Sequence, residues 1–247
     1  MQVFDKYQEK FIMSLKIKGL QKVSIEGYSR VFINFNTLIG DMSVELKELE
    51  EQLSIYFYKV SQVNNSTTFN AKRKHLNAYF NFLVRKEVLG ENPIKTIPIT
   101  KQVESYEPRP ANLDDLTKLL DVIDIKTYPG FRDMVFITLA VDSGMRPTEI
   151  TRMTDSVIKY SSCAIEITPE MIKTKRSRVV PVSEVVIQNL YKLVEINKET
   201  WDNDSVFLTE YGKPINTVRM QRRLRKHSEK AGVKITAYQL RHYFATV

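Results

Sequence analysis

Apolar side chains recur at helical spacing through the first hundred residues of this chain. In STTFNAKRKHLNAYFNFLV (residues 66–84), Phe69, Leu76, Phe80 and Leu83 fall on one helical face, with Ser66 or Thr67 as the expected N-cap. Leu89-Gly90 and then Asn92-Pro93 mark the end of that helix, since proline cannot continue it. Upstream, 3–17, 23–38 and 45–61 carry the same amphipathic period, which predicts a four-helix domain. The periodicity then stops. KTIPITKQVESYEPRPAN (95–112) holds Pro98, Pro108 and Pro110 and reads as an extended linker. The boundary is therefore placed at 105–111, with a helical domain over 1–104 and a second domain over 112–247.

Helices resume in the second domain from Asn112, with acids in the first turn, and over about 131–142, ending at Ser143-Gly144. The pattern then changes period. SSCAIEIT (161–168) alternates and is β-branched, RVVPV (178–182) is a second short strand, and the charged stretch between them reads as a turn. Helical spacing returns at about 184–197, 217–231 and 236–246. The expected fold is mainly α with a small antiparallel β-sheet, an α+β class.

Composition excludes several classes and charge points to a partner. Hydrophobic residues make up 43% and charged residues 27% of the 247, a globular balance. No apolar run approaches the roughly 18–20 residues that cross a bilayer, so no membrane partner is expected. The opening MQVFDKYQEKFIMSL mixes acids with bases and lacks a small-residue cleavage site, unlike a secretory signal. Cys163 is the single cysteine, which excludes an internal disulfide and a cysteine-rich zinc site and suits a reducing cytosol. The net charge is +8, and residues 213–247 carry nine Lys or Arg against one acid, Glu229, so that segment holds the whole excess. Clustering of this kind is the footprint of a polyanion site, although a solvated basic face gives the same count.

Three segments could carry chemistry. In DSGMRPTEI (142–150), Gly144 suits the left-handed end of one helix and Pro147 the first turn of the next. Arg146 is then held in a tight turn where its charge attracts phosphate, and Glu149 could orient it. Taken alone, that segment favours an ordinary helix corner with a surface arginine. The stretch KTKRSR (173–178) puts four bases in six residues at a hairpin tip. Lys173 there could protonate a leaving oxygen, or the tip could be solvated or contact phosphate through Lys175 and Arg176. In TAYQLRHYFAT (236–246), Thr236 suits an N-cap, Leu240 and Phe244 form an i, i+4 pair, and Tyr238 and Arg241 share one side; a core-packed helix with a snorkelling arginine is the bland alternative. Between these, Met220, Leu224, His227 and Ala231 make an apolar stripe. Arg219, Arg222, Arg223 and Lys226 fill much of the remaining face, well placed for DNA backbone.

Taken in order, these segments resemble the tyrosine recombinase family, which includes phage integrases and the enzymes that resolve chromosome dimers. SGMRPTEI is similar to the family's first arginine motif and assigns Arg146 as its first catalytic arginine. Lys173, eight residues before Pro181, matches the family's lysine. YQLRHYFAT resembles its His-x-Leu-Arg-His-x-Phe-Ala-Thr motif and puts Arg241 at the second arginine. Residues 66–84 followed by ENPI resemble the family's SAM-like core-binding domain, in which Lys72, Arg73 and Lys74 become candidate DNA contacts.

The resemblance implies a site-specific recombinase or integrase of a phage or other mobile element, acting in the cytoplasm on nucleoid DNA, with double-stranded DNA and further protomers as partners. Family enzymes work as tetramers. A tyrosine attacks a DNA phosphate to give a 3′-phosphotyrosyl link and a free 5′-hydroxyl, without metal or nucleotide cofactor. The arginines stabilise charge on the non-bridging oxygens and Lys173 acts as general acid.

Two departures stand out. Tyr238 occupies the place of a family histidine, and a phenol is a poor base at neutral pH, so hydrogen bonding to phosphate is the role left for it. The family's nucleophile, preceded by a further His or Trp, follows the second arginine by some tens of residues, whereas six residues follow Arg241 here. The expectation is a chain that binds DNA and does not cleave it, shortened by truncation or proteolysis, with a naturally short gene as the alternative. A non-catalytic DNA-binding regulator or accessory factor on the same scaffold is the second reading, and a type IB topoisomerase a distant third.

Overall fold

A computed structural model of the chain describes residues 3–40, 43, 45–98, 111–171 and 177–244. The chain divides into two compact units, Met1–Tyr106 and Glu107–Val247.

The first unit is helical: α1 (Val3–Ile17), α2 (Lys22–Ile39), α3 (Leu46–Val63), α4 (Ser66–Arg85) and the single turn α5 (Pro93–Thr96). Its core is aromatic. The Phe11 ring meets Tyr28, Phe32 and Tyr79 edge-on at centroid distances of 5.4–6.1 Å. Around these rings Phe35, Leu49, Leu53, Tyr56, Leu76 and Phe80 are fully buried. Phe69 and Leu83 join them, so the apolar face read from 66–84 is the buried face of α4. The N-cap of α4 differs from the expectation by one residue. Asn65 takes the extended conformation a cap requires and its side chain accepts from the Thr68 amide at 2.9 Å, while Ser66 is already helical and buried.

Asn92 explains how the chain turns after α4. It is buried; its Oδ1 accepts from the Ile94 amide at 2.9 Å to cap α5, and its Nδ2 donates to Asn77 Oδ1 (2.9 Å) and Asn81 Oδ1 (2.8 Å) on α4. Asn92→Ala removes the donor to the half-buried Asn77 and Asn81 side chains and removes the cap, so it is expected to destabilise the first unit by about 1–2 kcal/mol. Native-state hydrogen exchange should show the loss in the amides of the first unit, with those of the second unit unchanged.

The second unit contains α6 (Leu113–Asp121), α7 (Tyr128–Ser143), the one-turn α8 (Pro147–Ile150), α9 (Glu184–Trp201), α10 (Thr217–Lys230) and α11 (Ala237–Phe244). A three-stranded antiparallel sheet lies between α8 and α9, in the order β1 (Ile158–Lys159), β2 (Ala164–Ile167), β3 (Arg178–Pro181). Ile165 faces Val180 and Ile167 faces Arg178 in its register. The mainly α, small-sheet architecture holds, with one strand more than the pattern predicts. β1 is two residues long, too short to leave an alternation in sequence. Two helices also extend past their expected ends. α7 begins at Tyr128 because Pro129 is tolerated in a first turn, where Thr127 caps the Gly130 amide. α9 runs on to Trp201, whose ring packs against Tyr128 at 4.7 Å.

α7 is the axis of this unit. Val135, Phe136, Ile137, Leu139 and Ala140 are buried along it, and α9, α10 and α11 all pack against it. The two ends of α7 therefore position the chemistry: Arg132-Asp133 near its start and the Gly144–Arg146 turn at its end. Among the described residues no helix is long and apolar enough to cross a membrane.

Candidate phosphate-binding site

The turn after α7 follows from two residue choices. Gly144 caps the helix in the left-handed conformation at φ 59°, ψ 18°, which an L side chain adopts at a cost of about 1–2 kcal/mol. Pro147 then supplies the fixed φ of a first helical turn. Arg146 is the second of the two residues between them and serves as N-cap of α8. α8 is a single turn, so the helix end itself adds less for an anion than a full helix would; the charge here is that of the side chains.

Those side chains converge on Glu149. Its carboxylate is 1% exposed and receives four hydrogen bonds. The Arg146 amide donates to Oε2 at 2.8 Å and the Arg146 Nη1 to Oε1 at 2.9 Å. From β3, Arg178 Nη2 donates to Oε2 at 2.8 Å and Nη1 to Oε1 at 3.2 Å. Burial pushes the Glu149 carboxyl up, but the Arg178 bonds and then the Arg146 amide and guanidinium outweigh it and hold the group below its ordinary value of 4.5. Glu149 is thus charged near neutral pH. Arg146 remains about half exposed beside it, with donors left for a ligand.

α11 reaches the same turn from the other side. Thr236 and Gln239 cap it reciprocally, the Gln239 amide donating to Thr236 Oγ1 (3.3 Å) and Gln239 Oε1 accepting from the Thr236 amide (2.9 Å). Leu240 is fully buried against the core, as expected, and the half-exposed Phe244 lies over Gly144: a Cβ at Gly144 would sit 2.5 Å from the ring's Cδ1. Arg241 stands three residues before that contact and Arg146 two residues after it. Arg241 is half-buried. Tyr238, 55% exposed, stacks edge-on to His242 at 4.3 Å and borders a cavity of about 420 Å³ that Arg222 and Arg225 also line.

A second ionic cluster lies beneath α10. Asp133, buried on α7, accepts from Arg132 Nε (3.0 Å) and Nη2 (2.7 Å), from Arg223 Nε, and from His227 Nε2 at 2.9 Å. Arg132, 1% exposed, also donates to the Leu208 carbonyl at 2.6 Å. Burial pushes the Asp133 carboxyl up, yet the His227 and arginine bonds more than offset it, and it lies below its usual 3.8. Sequence patterning missed this cluster. The available signal was a charged pair, Arg132-Asp133, inside the otherwise apolar run FRDMVFITLAV.

The remaining predicted residues separate into groups. On α10, Arg222 and Lys226 are exposed, Arg219 pairs with Glu210 at 3.3 Å, and Arg223 departs from its expected outward position because Asp133 draws it inward. The stripe of α10 is Met220, Leu224 and Ser228, with His227 at its edge. In the first unit Lys74 is exposed and Arg73 half-buried, while Lys72 donates to Asn34 Oδ1 at 2.8 Å; burial lowers its pKa. Lys173, Lys175 and Arg176 lie outside the described residues. Among the described residues no cluster of His, Cys, Asp or Glu is arranged to hold a metal ion.

Comparison with known proteins gives four matches. Residues 112–247 match the family model described as the phage integrase family. The chain is 27% identical to a tyrosine recombinase XerC of Chlamydia muridarum over 201 residues, covering 78% of this chain and 62% of that protein. It is 27% identical to a tyrosine recombinase XerC of Psychromonas ingrahamii over 236 residues, covering 93% of this chain and 77% of that one. The chain thus spans under two thirds of the first relative's length and about three quarters of the second's. In fold, it superposes on a lambda integrase (residues 75–356) dimer bound to a COC′ core site with a TM-score of 0.79, at 14% identity, over 100% of this chain and 89% of that one.

Proposed function

The chain belongs to the phage integrase family, and from that membership we propose that it is the DNA-binding and phosphate-activating part of a site-specific tyrosine recombinase. One observation carries the reading: Arg146 is clasped by a buried carboxylate in a turn over which the Arg241-bearing helix is packed through Phe244 and Gly144. Two permanently charged guanidinium groups on either side of one rigid junction suit a phosphate whose non-bridging oxygens gain charge during transfer. A solvated surface arginine needs neither a buried carboxylate nor a glycine beneath a phenylalanine.

In this reading Arg146 and Arg241 hold the scissile phosphate and Tyr238 donates a hydrogen bond to it. Lys173, assigned from its motif spacing alone, protonates the leaving 5′-oxygen. Arg222 and Lys226 contact backbone phosphates, with Arg219, Lys175 and Arg176 beside them. Arg223 serves by bracing α10 on Asp133. Residues 1–104 act as the core-binding domain, contacting duplex DNA through Lys74 with Arg73 and Lys72. Further copies of the chain are expected on the DNA, in keeping with the dimer described for the lambda enzyme. The same reading places the protein in the cytoplasm with the nucleoid.

The 247 residues are proposed to grip DNA without forming the covalent link. Tyr238 takes the place of a family histidine, and Tyr243 is partly buried against the core, so neither is offered as nucleophile. A nicked duplex that traps any phosphotyrosyl product tests this. The expected result is a salt-sensitive complex that dissociates completely in detergent. A detergent-resistant adduct would show that these residues include a working nucleophile and would refute the proposed division of labour.

A further inference from the structure

The clasp around Glu149 contains a charge problem. Arg146 and Glu149 alone form a neutral pair, and a neutral pair has little attraction for a phosphate dianion or diester. A fully buried carboxylate 2.9 Å from Arg146 would cancel most of the field that the arginine is there to supply. The structure holds a third partner at that carboxylate. Arg178, the first residue of β3, meets it with both terminal nitrogens, at 2.8 and 3.2 Å, in the parallel fork geometry in which an arginine neutralises a carboxylate best. Each Glu149 oxygen then accepts one bond from Arg146 and one from Arg178, and the three groups sum to a net charge of +1.

We propose that Arg178 is a positioning residue for the phosphate site: it neutralises Glu149, so that Glu149 can fix Arg146 in place while the positive charge of Arg146 stays available to DNA. The inference rests on the reading of Arg146 as a phosphate ligand and names what makes that arginine effective. Exposure supports the division of roles. Arg178 commits both terminal nitrogens to the carboxylate at 38% exposure, whereas Arg146 spends one guanidinium nitrogen there at 49% exposure. Arginine suits the task because a lysine presents a point charge and cannot span both oxygens.

The consequence is a rescue that a simple phosphate contact or a packing brace would not show. Binding of a labelled duplex of unrelated sequence to the 247-residue chain is measured by fluorescence anisotropy, at temperatures where thermal melts show every variant folded. Arg178→Ala should weaken binding about three- to tenfold, the share of one phosphate contact in a salt-sensitive complex. Arg178→Lys retains the charge but loses the fork across both Glu149 oxygens, so its affinity should fall between that of Arg178→Ala and that of the unsubstituted chain. In the double variant Arg178→Ala/Glu149→Gln the unneutralised charge is gone, while the glutamine Oε1 can still accept from the Arg146 backbone amide. Its affinity should rise above that of Arg178→Ala and recover part of the loss, while the looser hold on the Arg146 guanidinium keeps it below the starting value.

An unchanged affinity in Arg178→Ala would overturn the proposal. So would a loss that Glu149→Gln fails to restore, which would make Arg178 a direct DNA ligand or a brace for β3. Failure of the unsubstituted chain to bind duplex DNA at all would instead overturn the reading beneath it, and this inference with it.

Discussion

Asp133→Asn is expected to destabilise the second unit by about 3–5 kcal/mol, the range for breaking a buried ion pair by removing one partner. The substitution keeps shape and removes charge. Arg132, 1% exposed, is then left without a counter-ion, and its remaining bond to the Leu208 carbonyl does not replace one. Arg223 and His227 lose the acceptor that ties α10 to α7. Since a domain is stable by only about 5–15 kcal/mol, the variant should sit near its unfolding threshold. Trp201, the single tryptophan, lies in this unit, so urea unfolding followed by its fluorescence reads the change directly.

Acid should act on the same group in the unsubstituted protein. Asp133 has a folded pKa below its ordinary 3.8, so its contribution is present above that value and is lost as pH falls through the folded one. The Asn variant lacks this component, and its stability curve should be flatter below about pH 4.

Gly144→Ala carries the second large effect. The left-handed backbone at φ 59° costs an alanine about 1–2 kcal/mol, and moving the Phe244 ring off its preferred rotamer adds about 1 more. The same ring joins α11 to the Arg146 turn, so the damage should exceed stability. DNA affinity is expected to fall further than the unfolded fraction explains, because Arg241 moves with its helix. Phe244→Ala in the Gly144→Ala background removes the ring clash and leaves the backbone cost. It should recover the steric part of the stability loss without recovering full binding.

Helical periodicity made much of the fold legible. The apolar positions of α1 to α4 carry a 3.6-residue period, and the Gly144-Met-Arg146-Pro147 turn announces itself because glycine and proline have few other reasons to bracket an arginine. Where local signals ran out, the reasons are physical. β1 is too short for alternation to register. The cap of α4 fell on Asn65 because three adjacent residues, Asn65, Ser66 and Thr67, can all cap, and backbone conformation decides among them. Arg178 and Arg223 were visible only as positive charge. Which arginine stays at the surface and which faces a buried carboxylate depends on residues 29 and 90 positions away, and composition cannot encode that pairing. Asp133 shows the reverse: a charge pair inside an apolar helix is a readable signal for a buried network, though its partners are not.

The central claim is that Arg146 and Arg241 form a phosphate grip on duplex DNA. The direct test is the slope of log affinity against log salt for a labelled duplex, measured for the unsubstituted chain and for Arg146→Ala/Arg241→Ala. If both arginines hold one phosphate, the double variant should bind more weakly and its slope should shrink by about 0.9, the contribution of a single phosphate contact. An unchanged slope and affinity in the double variant would contradict the claim.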